Sequence, residues 1–209
     1  MNPSITVAVR TLWLIAVAGF LSSASASLQD YGAWRRVNRD GSWTAAAERA
    51  VRATPLPSAS PKDAASFCPN YASLTEEKRV QFWAGLLSAM ARPESNFKPE
   101  TTYREPDITD AAGLNVTSRG LLQISLESAN QRAYSCGIKR AEDLHDPETN
   151  LTCGAKIMSY WVRRDGAIAA QAPPAVGAAR YWSVLRAWRN HLPEISGFTK
   201  SLGVCNAPH

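Results

Sequence analysis

The chain has 209 residues, 45% hydrophobic and 20% charged, which suits one folded domain with a real core and excludes a disordered or fibrous protein. Its formal charge of +5 is mild, and no long run of Lys or Arg marks a nucleic-acid tract, so no nucleic-acid partner is expected. The four cysteines and three scattered histidines include no Cys-x-x-Cys, so neither a metal site nor a cofactor is predicted.

Residues 1–26 read as a secretory leader. Arg10 precedes an apolar run over residues 12–21, and Ala24-Ser25-Ala26 forms a small-residue cleavage site. The mature chain is expected to begin near Ser27. The run is short for a membrane span, and no Cys stands at the cleavage point to carry a lipid. A periplasmic or secreted protein without a stable membrane anchor follows. Cys68, Cys136, Cys153 and Cys205 should then be oxidised. Four cysteines allow three pairings; the expected one staples Cys136 to Cys153 locally and ties Cys68 to Cys205 across the domain.

Residues 27–66 read as an N-terminal arm with a short helix after Trp43, then a Pro-rich linker over residues 55–61. The main domain is placed at residues 67–205, with a tail at 206–209. Its first helix follows a capping box, Ser73 with Glu76, and lays Val80, Trp83, Ala84, Leu87, Met90 and Ala91 on one face. Pro93 is expected to end it at Arg92. Glu94 would sit just beyond, at the negative end of an apolar helix. Both the dipole and desolvation favour a protonated carboxyl there, as a general acid for glycosidic cleavage requires.

An irregular polar segment over residues 98–118 follows, long enough to suggest a functional loop or a small hairpin. Ser125 caps a further helix. Asp146-Pro147-Glu148 opens another, which stops at Asp165-Gly166. A last apolar helix is predicted through Ala178, Tyr181, Trp182, Leu185 and Trp188, closing before Pro193, and the tail has no periodicity beyond Cys205. Helices separated by loops give a mainly α domain.

In order and spacing, four motifs resemble the lytic transglycosylase domain of the soluble-transglycosylase (SLT) type, within the lysozyme-like superfamily. They are Glu94-Ser95-Asn96-Phe97, Ser118-Arg119-Gly120-Leu121-Leu122-Gln123-Ile124, Asp146-Pro147-Glu148-Thr149-Asn150-Leu151 and Ala178-Ala179-Arg180-Tyr181. The last departs from the family pattern, because Arg180 is interposed and Trp182-Ser183-Val184 replaces Asn-Ala-Gly. The resemblance implies a goose-type-lysozyme-like helical fold with a small β-hairpin wing. It also implies Glu94 as the catalytic acid, with Ser95, Ser118, Gln123 and Tyr181 lining the sugar groove. Peptidoglycan glycan strands are the implied substrate, cleaved between N-acetylmuramic acid and N-acetylglucosamine to a 1,6-anhydro product with help from the N-acetyl group. No second carboxylate among Glu100, Glu105, Asp107 and Asp110 stands out as Glu94's partner. The alternatives are a muramidase that uses water, and an inactive carbohydrate-binding or structural envelope protein. No envelope-machine partner can be named.

Overall fold

The computed structural model describes residues 30–206; the predicted leader and its cleavage site lie outside the described residues. Helix α1 (Ser42–Arg52) precedes the central α2 (Glu76–Ser95). A three-stranded antiparallel sheet follows, with β1 (Thr102–Thr109), β2 (Asn115–Arg119) and β3 (Ile124–Ser125) in the order β1-β2-β3. Then come α3 (Leu126–Ala129), α4 (Pro147–Asp165) and α5 (Leu192–Ser201). The fold is mainly helical with a small β wing, as the sequence predicts.

Helix α2 is the axis of the core. Its apolar residues mark one face, yet every residue from 82 to 91 is buried, including Gly85 and Ser88. A helix covered all round needs neighbours on every side, and α1, α4, α5 and the turn Leu56–Ser58 supply them. Gly85 is one condition of this packing, because a Cβ there would lie 2.6 Å from Leu202. The N-terminal arm shares the same core. Trp34, Ala47 and Val51 are fully buried, and the Ala33 amide donates to the Ser88 hydroxyl at 2.9 Å. The Pro-rich stretch forms a 3-10 turn whose Leu56 is fully buried.

Both ends of α2 differ from the sequence reading. The cap is Thr75, which accepts from the Lys78 amide, rather than Ser73. The helix also runs through Pro93 to Ser95. Proline needs a φ that a helix already has, and its missing N–H costs a single bond in the last turn. Asn96 and Phe97, both left-handed at φ 52° and 60°, then close the end, with their amides donating to Arg92 and Ala91.

The predicted last helix is not formed. Residues 177–189 make three short 3-10 turns, Gly177–Arg180, Ser183–Leu185 and Ala187–Arg189. Tertiary hydrogen bonds claim the backbone first. Ala170 bonds to Leu185 and Ala187, and the Gly177 amide donates to the Asp165 carboxylate at 2.8 Å. The chain around and after Pro193, for which no helix is predicted, is helix α5, with Pro193 in its first turn. Cys68–Cys205 and Cys136–Cys153 are both disulfides, closing spans of 137 and 17 residues.

Candidate active site

The chain between β2 and β3 lies against the end of α2. Gly120 adopts φ 77°, and a Cβ there would meet the Leu144 carbonyl at 2.1 Å and Asn150 Nδ2 at 2.3 Å, so only glycine fits. Around it the backbone is hung from three side chains. Asn150, on the Asp146-capped helix α4, accepts from the Leu122 amide at 2.9 Å. Its Nδ2 donates to the carbonyls of Arg119 and Leu144. Trp182 Nε1 donates to the Leu122 carbonyl at 2.9 Å, and the Ser95 hydroxyl points at the carbonyls of Leu121, at 3.0 Å, and Ala91. Ser95 therefore braces this loop to the end of α2.

Glu94 lies beside that brace in the last turn of α2, half-buried. Burial, and secondly the negative charge of Glu105, push its carboxyl up to about 8 from an ordinary 4.5. Glu105 is therefore the second carboxylate that inspection of residues 98–118 does not single out. It projects from β1, where its Oε1 accepts from the Ser118 hydroxyl at 3.0 Å. Ser118, on β2, thus serves the acidic pair through Glu105. The strand pairing selects Glu105 over Glu100, Asp107 and Asp110, and no local pattern in the sequence encodes that choice.

Tyr181 also reaches the site, from the turn after Ala178. Burial holds its phenol protonated, well above the ordinary value. Hydrogen bonds from Ser128 and the Ser125 backbone pull it partly back, while Tyr134 and Glu94 raise it slightly. Its Oη shares a 2.5 Å hydrogen bond with Ser128 Oγ, a contact the sequence did not suggest. Gln123 is strained into the left-handed region at φ 47°, and its Nε2 donates to the carbonyls of Thr101 and Gly120. Its Oε1 is buried without a partner among the described residues. Glu94, Glu105, Ser118 and Tyr181 thus belong to one site, with Gln123 and Ser95 in its loop framework.

A helical domain with a β wing and a half-buried acid at the end of its central helix is the arrangement of the lysozyme-like class. The family described as "Transglycosylase SLT domain" matches residues 72–184. Three solved structures of DslA from Bdellovibrio are each 44% identical to this chain. The wild-type form covers 83% of this chain and 97% of its own, with a TM-score of 0.77. Two Glu-to-Gln mutants of DslA give TM-scores of 0.76 and 0.77 over 82% and 83% of this chain and 96% and 97% of theirs. No match was found among curated proteins. The chain belongs to the SLT family of the lysozyme-like superfamily.

Proposed function

We propose that this chain is an exported lytic transglycosylase that cleaves the β-1,4 bond between N-acetylmuramic acid and N-acetylglucosamine in peptidoglycan. The observation that carries this reading is the Glu94 carboxyl raised to about 8 at the end of α2, opposite the braced loop. A carboxyl protonated near neutral pH can donate to the glycosidic oxygen as that bond breaks. The positive charge that develops on the sugar ring is met by the negative Glu105. Glu94, now ionised, takes the proton of the muramoyl C6 hydroxyl, which attacks C1 and closes the 1,6-anhydro ring. Ser118 orients Glu105, Tyr181 borders the pair, and Gln123 holds the loop beside them through its bonds to Thr101 and Gly120. Two of the DslA structures carry Glu-to-Gln changes at positions eleven apart, the interval between Glu94 and Glu105.

Glu105 also supports a second reading, a muramidase. A carboxylate facing the acid can activate water or stabilise the cation, and N-acetyl assistance is then not required. Mass spectrometry of digested peptidoglycan separates the two. Anhydro-muropeptides are expected; reducing muropeptides would assign the muramidase, and no release would remove both. Export is supported by the leader-like residues 1–26 and by the two disulfides, which persist in oxidising compartments. Among the described residues no helix is long and apolar enough to cross a membrane.

The charge of Glu105 makes a separate prediction. Removing it in Glu105→Gln takes away one of the two causes that raise Glu94. The alkaline limb of the pH–rate profile should move to lower pH. It should stay above 4.5, because burial is the larger cause and remains. A limb that does not move would show that Glu105 is too far or too well screened to act on the acid.

A further inference from the structure

We propose that the turn Ala187–Arg189 is a membrane-docking surface, on which Trp188 enters the headgroup layer of an anionic phospholipid bilayer while Arg186 and Arg189 meet its phosphates. This goes beyond the glycan-cleaving reading and does not depend on it. Trp188 is 40% exposed, and residues 188–191 are exposed throughout. Single exposed apolar side chains are ordinary, so the surroundings must decide. They are cationic. From residue 166 to residue 193 the chain has no Asp or Glu, yet it carries Arg180, Arg186 and Arg189. Side chains three apart eclipse in a 3-10 turn, which sets Arg186 beside Arg189. The acids that bound this stretch are committed elsewhere. Asp165 holds Arg180 at 2.6 Å, and Glu194 holds Arg92 at 2.9 Å. Among the described residues neither Arg186 nor Arg189 forms an ion pair. Burial, and secondly the charge of Arg189, make the Arg186 cation less favourable than an ordinary guanidinium. An anion bound beside the pair would offset that cost.

The apolar part of the surface extends past Trp188. The Ala187 amide donates to the Ala170 carbonyl at 2.9 Å, so the loop over residues 171–174 starts beside the turn. Its Ala172, Pro173 and Pro174 are exposed and uncharged. An indole ring settles at the headgroup level of a bilayer, and guanidiniums beside it are attracted to lipid phosphates. A soluble polyanion would engage the guanidiniums alone, whereas a headgroup layer receives both them and the exposed apolar groups. The partner is thus an anionic phospholipid surface. The contact is peripheral and reversible, since no helix among the described residues is long and apolar enough to cross a membrane.

The test is co-sedimentation of the mature chain with vesicles of phosphatidylcholine, alone or mixed with phosphatidylglycerol. The chain should partition onto the mixed vesicles and not onto phosphatidylcholine alone, and added salt should release it. Trp188→Ala should lower the partition coefficient about tenfold, through the apolar area it no longer buries. Arg189→Gln should lower it about fivefold, and Arg189→Lys should restore it, because attraction to phosphate needs the charge. Neither side chain makes a hydrogen bond among the described residues, so melting curves of these variants should match the wild type. Lys78→Gln removes an equal charge near the start of α2, whereas the Glu194–Arg92 pair places the turn by the other end. That variant should bind as the wild type does. Equal binding to phosphatidylcholine, an unchanged partition in Trp188→Ala, or a loss in Lys78→Gln as large as in Arg189→Gln each overturns the docking surface. If Trp188→Ala instead abolishes binding to isolated peptidoglycan or to nucleic acid and leaves vesicle binding intact, the patch serves that polymer and the proposal fails.

Discussion

Glu94→Gln is expected to lower glycan cleavage by roughly 10²–10⁴-fold while leaving the protein folded. Glutamine keeps the size of the side chain but carries no titrating proton, so the substitution separates acid–base chemistry from packing. A variant that cleaves at close to the wild-type rate would sink the assignment. A structural reading of Glu94 also predicts a damaged variant, and stability against pH tells the two apart. The folded state holds the carboxyl at about 8 against an ordinary 4.5, so folding favours the protonated form. The fold has the full benefit of Glu94 below 4.5 and loses it progressively as pH rises through 8. At pH 9 the variant, with no charge to desolvate, should be more stable than the wild type. One pKa unit corresponds to about 1.36 kcal/mol, and partial solvent access reduces the total to roughly 2–4 kcal/mol. At pH 4 the two should melt together. Melting curves at both values check this, and equal stability at pH 9 would contradict a buried, uncompensated acid. A destabilised active-site acid is a common cost of function.

The second large effect is expected at Asn150, which the reaction does not use. Its side chain is fully buried and makes three hydrogen bonds to backbone, at Leu122, Arg119 and Leu144. Asn150→Leu has a similar volume but strands one amide and two carbonyls in the interior. Each unsatisfied group costs about 1–3 kcal/mol, so roughly 3–5 kcal/mol of stability should be lost, a large share of what a domain has. Asn150→Asp should be nearly as costly. It keeps the acceptor for the Leu122 amide but turns an oxygen toward two carbonyls that need a donor. Urea unfolding measures both. A loss below about 1 kcal/mol would mean that water replaces the amide and that the loop does not depend on it. Activity should fall with stability, because this loop carries Gln123 and adjoins Ser118.

Much of the site was legible because its determinants are local. An apolar helical run ending near Pro93 brought Glu94 to notice, and the burial that this run provides is the main reason its carboxyl resists ionisation. Asp146-Pro147 announced α4 by cap chemistry that acts within one turn. The even cysteine count in a chain with a leader-like segment implied disulfides, and the expected pairing is the one present. Gly120 and Asn150 were visible as parts of a family motif. Their reasons were not, since the contact between them joins residues thirty positions apart.

What the amino-acid sequence determined by itself was the helices α1, α2 and α4, the Asp146 cap, the oxidised cysteines and the motifs of the SLT family. Each depends on a few neighbouring residues, or on a pattern that survives without coordinates. Tertiary structure alone decided the rest. Glu105 became Glu94's partner through the pairing of β1 with β2, which sets its carboxylate on the Ser118 hydroxyl, a choice made across the sheet. Residues 177–189 fit a helix by periodicity, yet bonds to Ala170 and Asp165 break their backbone into short 3-10 turns. Local propensity is worth tenths of a kcal/mol per residue, and a buried long-range hydrogen bond or packed face outweighs it.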